Sequence, residues 1–366
     1  MASYYVDPSI DSDSGSGTIG DPYGDLQYAL DSIYHDTTNG DRINIKSGTA
    51  EVLEDALDFT TFGQVSLTGG LTIAGYTSSE DDGGIGEIDG DDTYPVIDFS
   101  TDVQAMNFID MKMGNCGAYE DVLHMYRGIY LENCEIHTAG GHGIELSNHD
   151  LICWKCHFHN LGGNAVDGTN GTDSHCYDCF FEDGGTYQFT SEVLLNCGAQ
   201  GCIFYNYTCT QGINVINKNI HPLNHNSFFP GGTKTSNGIY AGATGLAKNW
   251  PSFNLFENCN IGIRSPYSTY ASPGIVGNAF YDCTTNFTSP YGDGARDVDN
   301  EALSASPFEK SGAATFANRK TYFAPADEGN VRTGGLTGGA KGAVAYTAAG
   351  GGGIQIARGM HGGIRG

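Results

Sequence analysis

Between residues 111 and 290, apolar and polar positions alternate with period two in short runs, and Gly, Asn and Asp interrupt each run. The pattern predicts short strands joined by tight turns rather than amphipathic helices. The runs also repeat. An anchor returns every 22 to 24 positions at Cys134, Cys156, Cys179, Cys202 and Asn226, then less regularly at Cys259 and Asn278. Two places after it the residues are Ile136, Phe158, Phe181, Phe204, Phe228, Ile261 and Phe280. Three places before it they are Leu131, Cys153, Cys176, Ala199, Leu223, Phe256 and Ile275. A unit this short cannot bury its own apolar face, so successive units must stack. Roughly 23 residues hold three short strands with their turns, and coils stacked about 4.8 Å apart pair each strand with its copy. The expected fold is all-β, a parallel β-helix, with Ile136, Phe158, Phe181 and Phe204 in one buried column.

Coils such as Glu132-Asn133-Cys134-Glu135-Ile136 and Glu257-Asn258-Cys259-Asn260-Ile261 resemble those of the right-handed parallel β-helix proteins of the pectate-lyase-like superfamily. The opening is similar too. Tyr4-Tyr5-Val6-Asp7-Pro8, an acidic turn at Asp11 and Asp13, and Pro22 to Leu30 resemble an entry strand, turn and capping helix. The resemblance extends from residue 3 to about residue 300. It implies right-handed winding, an N-terminal strand and cap over 1–35, a β-helix over 36–300 and a C-terminal closure over 301–346. Leu26, Ala29, Leu30 and Ile33 have the helical spacing that such a cap needs. The fold hosts lyases, hydrolases, phage adhesins and inert shafts, so it does not settle function.

Composition narrows the partners. Asp and Glu number 43 against 17 Lys and Arg, a net charge of −26, which disfavours nucleic acid. No run is long and apolar enough for a membrane span, and the first residues, Met1 to Tyr5, lack the basic and apolar regions of a secretion signal. Gly numbers 54, which suits a fold that turns every few residues. The 11 cysteines recur in coil positions, which reads as a ladder of buried, reduced thiols. Cys153, Cys156, Cys176 and Cys179 also have the spacing of a four-Cys zinc site, but the coil period alone accounts for it.

Candidate chemistry lies in the outward columns. His137, His159 and Glu182 share one column, and stacked imidazoles and carboxylates are a candidate transition-metal set. Glu145 and Asp167 stack as the best carboxylate pair, the alternative catalytic residues of a glycosidase. Asp81, Asp82, Glu87, Asp89, Asp91 and Asp92 form an acidic Gly-rich loop, a candidate Ca²⁺ site without EF-hand spacing. Lys and Arg are sparse in the regular coils, which counts against lyase chemistry. Residues 347–366 are Gly-rich with Ile354, Ile356, Arg358, Met360, Ile364 and Arg365, a composition suited to docking on an acidic neighbour.

These observations lead to a first expectation of a structural or adhesive virion protein without a cofactor. Its rigid body would be fixed by the tail to other virion or surface-assembly proteins, as a homo-oligomer that touches glycans. The alternative is a carbohydrate-active enzyme (polysaccharide lyase, glycoside hydrolase or phage depolymerase) or a bacterial extracellular surface protein.

Overall fold

The computed structural model describes residues 2–324 apart from 11–14, 34–39, 60–69, 99–105, 127, 148–149, 169–172, 183–186, 192–195, 208–209, 216–218, 232–233, 235, 242–250, 265–274, 289–296, 299 and 313. Among these residues, three long sheets run the length of the molecule, with nine, eleven and nine strands. Every strand pairing within them is parallel, and each strand's neighbours are its copies in the coils before and after. This is a parallel β-helix. Among the described residues, α-helix is confined to Leu26–Ser32 and Arg319–Tyr322. No helix among the described residues is long and apolar enough to cross a membrane.

The interior follows from the alternation. Ile136, Phe158, Phe181, Phe204, Phe228, Phe256 and Phe280 pair in register along the second sheet and are buried. From Phe158 to Phe280 consecutive rings stack with centroids 4.8 to 5.0 Å apart and planes within 9°. Strand spacing sets that separation, so the offset stack that favours aromatic pairs needs no backbone distortion. Leu131, Cys153, Cys176, Ala199 and Leu223 line the first sheet in the same way.

The repeat needs one correction. Phe256, not Ile261, continues the aromatic column, and the anchor of that coil is Asn254, not Cys259. The anchor column therefore reads Cys134, Cys156, Cys179, Cys202, Asn226, Asn254, Asn278 and Asn300. Its asparagines form an amide ladder. Asn226 donates Nδ2 to Asn254 Oδ1 at 3.1 Å, and Asn254 donates Nδ2 to Asn278 Oδ1 at 3.0 Å. The misleading likeness has a physical source. Left-handed residues recur at two corners of the coil, one just before the anchor (Asn133, Lys155, Asp178, His225 and Phe253) and one at or near the end of the second-sheet strand (Asn115, Asn160, Asn206, Asn258 and Asp282). Asn-Cys fits both turns, so Asn258-Cys259 copies Asn133-Cys134 chemically while lying at the other corner. Left-handed backbone costs an L-residue roughly 1–2 kcal/mol, which explains the preference for Asn and Asp there.

The cysteines Cys116, Cys134, Cys153, Cys156, Cys176, Cys179, Cys202 and Cys259 are buried and free of disulfides. Burial without a neighbouring positive charge pushes the Cys134, Cys153 and Cys179 thiols well above their usual range.

The end of the described chain returns along the outside of the second sheet. There the outward residues Phe180, Ile203, Leu255 and Ala279 are apolar and form a second core with Phe308 and Phe323. Ser306 Oγ donates to Glu257 Oε2 at 2.6 Å, and the Lys310 ammonium pairs with the same carboxylate.

Candidate functional site

Two polar clusters lie on the outside of the β-helix, on different sheets. The first lies on the third sheet, where Asp98, His124, Glu145 and Asp167 occupy one outward column in register. Glu145 and Asp167 are thus direct neighbours, one strand step apart. Three further side chains join them from the preceding turns. Asp121 Oδ1 accepts the His142 backbone N–H at 2.5 Å. His142 Nδ1 accepts the Asn164 backbone N–H at 2.7 Å. That bond fixes the neutral tautomer of His142 with its proton on Nε2, which lies 3.6 Å from Asp167 Oδ2. Asn164 Nδ2 donates to the same oxygen at 2.8 Å.

Gly141 and Gly163 make room for this arrangement. A Cβ on Gly141 would lie 2.3 Å from Asp121 Oδ1, and one on Gly163 would lie 2.6 Å from His142 Nδ1. The Gly pairs of the repeat therefore admit the two side chains to the turn. Asp121 is the perturbed group. Burial and the adjacent Glu145 carboxyl, close enough to hydrogen-bond, push it up to about 6, against the opposing pull of the His142 N–H. A neighbouring carboxylate disfavours ionisation of Asp121. Chemically the cluster offers one carboxyl with a raised pKa, two further carboxyls in register and a hydrogen-bonded imidazole. At the end of the column, His124 bridges Asp98 Oδ1 and Ser147 Oγ, at 3.1 Å each.

The second cluster lies on the second sheet. Glu135 is opposite His157, and His137 opposite His159. Glu135 Oε1 lies 3.1 Å from His159 Nε2, and Glu182 Oε2 lies 3.4 Å from His157 Nε2. One ligand atom each from Glu135, His157 and His159 lie within 4.8 Å of one another, the one metal-capable group of three found among the described residues. Burial pushes His157 below its usual range and His137 down to about 4. The His159 imidazole beside Glu135 holds that carboxyl below its usual range.

The sequence-predicted residues fare unevenly. Glu145 and Asp167 are together as expected, and so are His142 and Asn164, which the coil period also stacks, while Asp121 escaped the column reading because it lies in a turn. His159 and Glu182 belong to the second cluster, and the buried His137 stacks on His159 at 5.5 Å. Glu135 and His157 were missed, although period two also places them outward, two residues before His137 and His159.

The acidic loop residues meet separate partners. Asp81 pairs with Arg42 at 2.6 Å, and Glu87 with Lys112 at 2.6 Å. Asp82 accepts backbone N–H groups from Thr77, Ser78, Ser79 and Gly84. Asp89 accepts from Asp91 N and from Asn115 Nδ2. Asp92 donates its N–H to Asn115 O at 2.7 Å. Ile354, Ile356, Arg358, Met360, Ile364 and Arg365 lie outside the described residues.

No family model and no curated protein matches the chain. Among solved structures it is similar to a pectate lyase described as Pel9A, at 12% identity over 92% of each chain with a TM-score of 0.49. It is also similar to a rhamnogalacturonan lyase, at 13% identity over 77% of this chain and 74% of that one, with a TM-score of 0.33.

Proposed function

We propose that the chain is a carbohydrate-active enzyme that hydrolyses a glycan on the third-sheet face. The observation that carries this reading is the register pairing of Glu145 with Asp167 on adjacent strands, beside the half-buried Asp121 carboxyl. Hydrolysis of a glycosidic bond needs a carboxyl that stays protonated near neutral pH and a carboxylate that stays ionised. Asp121 supplies the first. Its proton passes through Glu145 to the leaving glycosidic oxygen. Asp167, oriented by Asn164 and His142, attacks the anomeric carbon. Neighbouring strands are about 4.8 Å apart, close to the roughly 5–5.5 Å separation of carboxyl pairs that act through a covalent glycosyl intermediate. Water then hydrolyses that intermediate, with Glu145 taking the proton.

The net charge of −26 and the carboxylates of this face repel uronates, so the substrate is a neutral glycan. In this reading the winding is right-handed, as parallel crossovers almost always are. Helix Leu26–Ser32 caps the first coil through its buried Leu26, Ala29 and Leu30. The working location is extracellular or at a cell surface, where glycans are met. The virion role, expected from the rigid solenoid, the reduced thiols, the lack of a secretion signal and the Gly-rich tail, depends for its docking step on residues 347–366, outside the described residues.

A panel of neutral and uronate-containing polysaccharides tests the proposal. New reducing ends from a neutral glycan are expected, with Glu145→Gln and Asp167→Asn each lowering kcat at least 100-fold. Unsaturated uronate ends would make the chain a lyase. Retention on a glycan without cleavage would restore the adhesive reading.

A further inference from the structure

We propose that Glu135, His157, His159 and Glu182 form a binding site for a divalent transition-metal ion, Zn²⁺ in the first place, on the outer face of the second sheet. The donor set comes first. Two imidazoles and two carboxylates suit Zn²⁺ and its neighbours in the first transition row, whereas Ca²⁺ and Mg²⁺ prefer oxygen alone.

Geometry is the second support. A tetrahedral Zn²⁺ with bonds of about 2.0–2.1 Å separates its ligand atoms by about 3.3 Å. The Glu135 Oε1–His159 Nε2 and His157 Nε2–Glu182 Oε2 separations, 3.1 and 3.4 Å, already have that length. The Glu135, His157 and His159 ligand atoms lie within 4.8 Å of one another, so small rotamer changes close the set.

The third support is that the rings are held in place. His157 stacks on His159 with centroids 4.3 Å apart. On Phe316 it stacks at 4.7 Å with planes 1° apart. His137 backs His159, and the Arg319 guanidinium lies over Phe316 at 3.7 Å. The His157 and His159 side chains are only 12% and 19% exposed. The returning C-terminal segment therefore forms one wall of the site. Packed ligands lose little rotamer freedom on binding an ion. The Lys112 ammonium, opposite Glu135 in register, makes its ion pair with Glu87.

The test is independent of any glycan activity. The full chain, freed of metal, is titrated with Zn²⁺ by calorimetry at pH 7.5 and with Co²⁺ by absorption. One ion per chain is expected, with visible Co²⁺ bands and no near-ultraviolet thiolate band. His159→Gln and Glu135→Gln should each weaken Zn²⁺ binding at least tenfold while leaving the metal-free melting temperature unchanged. Unaltered affinity in both variants would overturn the proposal. A thiolate band would do so as well, by moving the ion to the cysteine columns, and so would the absence of stoichiometric binding.

Discussion

The outer faces of the second and third sheets rise from the same interior and end differently. On the second sheet one outward column runs Glu87, Lys112, Glu135, His157, then Phe180, Ile203, Ser227, Leu255 and Ala279. Its first half is polar and carries the histidine cluster. Its second half, Ser227 apart, is apolar and lies under Phe308, Phe316 and Phe323 of the returning chain. On the third sheet the column Asp98, His124, Glu145 and Asp167 is polar, and among the described residues His142 and Asn164 join it from the adjoining turns. Inward positions are dictated by packing and differ little between coils. Outward positions are free, and their polarity decides whether a face recruits a cover or keeps a site.

Breaking the shared interior should have the largest effect. Phe204→Ala removes a fully buried ring from the middle of the aromatic stack and should cost about 3–5 kcal/mol. Denaturant unfolding should show the loss, with both outer faces failing together because one core supports them.

Removing the cover should cost less and stay local. Phe323→Ala takes out the ring that meets Phe180, Tyr205, Phe229 and Phe308. Limited proteolysis should then cut within 303–324, and the attachment of that segment should weaken by about 2–3 kcal/mol. The melting of the body should move little. A body that melts in step with the segment would erase the distinction between interior and cover.

The smallest effect belongs to the third-sheet face. Glu145→Gln keeps the shape and removes the carboxyl that opposes ionisation of Asp121. Asp121 is raised when folded, so its contribution to stability is full below its unfolded pKa near 4. That contribution is lost as pH rises through about 6. The variant should match the parent at pH 4 and exceed it by a few tenths of a kcal/mol at pH 8, by thermal melts at both values.

Much of this was legible from alternation alone. Period two predicted the parallel stack, the Phe158 to Phe228 column and the Glu145–Asp167 register, because inward and outward positions have no freedom once a strand pairs. The limits have equally plain causes. Coil length varies between Asn226 and Asn254, so a motif match at Cys259 displaced the anchor to the wrong corner. Asp121 reaches its site from a turn, where no period constrains direction. The apolar outward run from Phe180 to Ala279 was the one available sign that the chain returns to cover the second sheet.

The most direct measurement is the titration of the Asp121 carboxyl by carbon-detected NMR on protein labelled in aspartate. The account predicts a midpoint of about 6, falling toward the ordinary aspartate value in Glu145→Gln. A midpoint near 4 in the unaltered protein would contradict it, because Asp121 would then hold no proton to deliver.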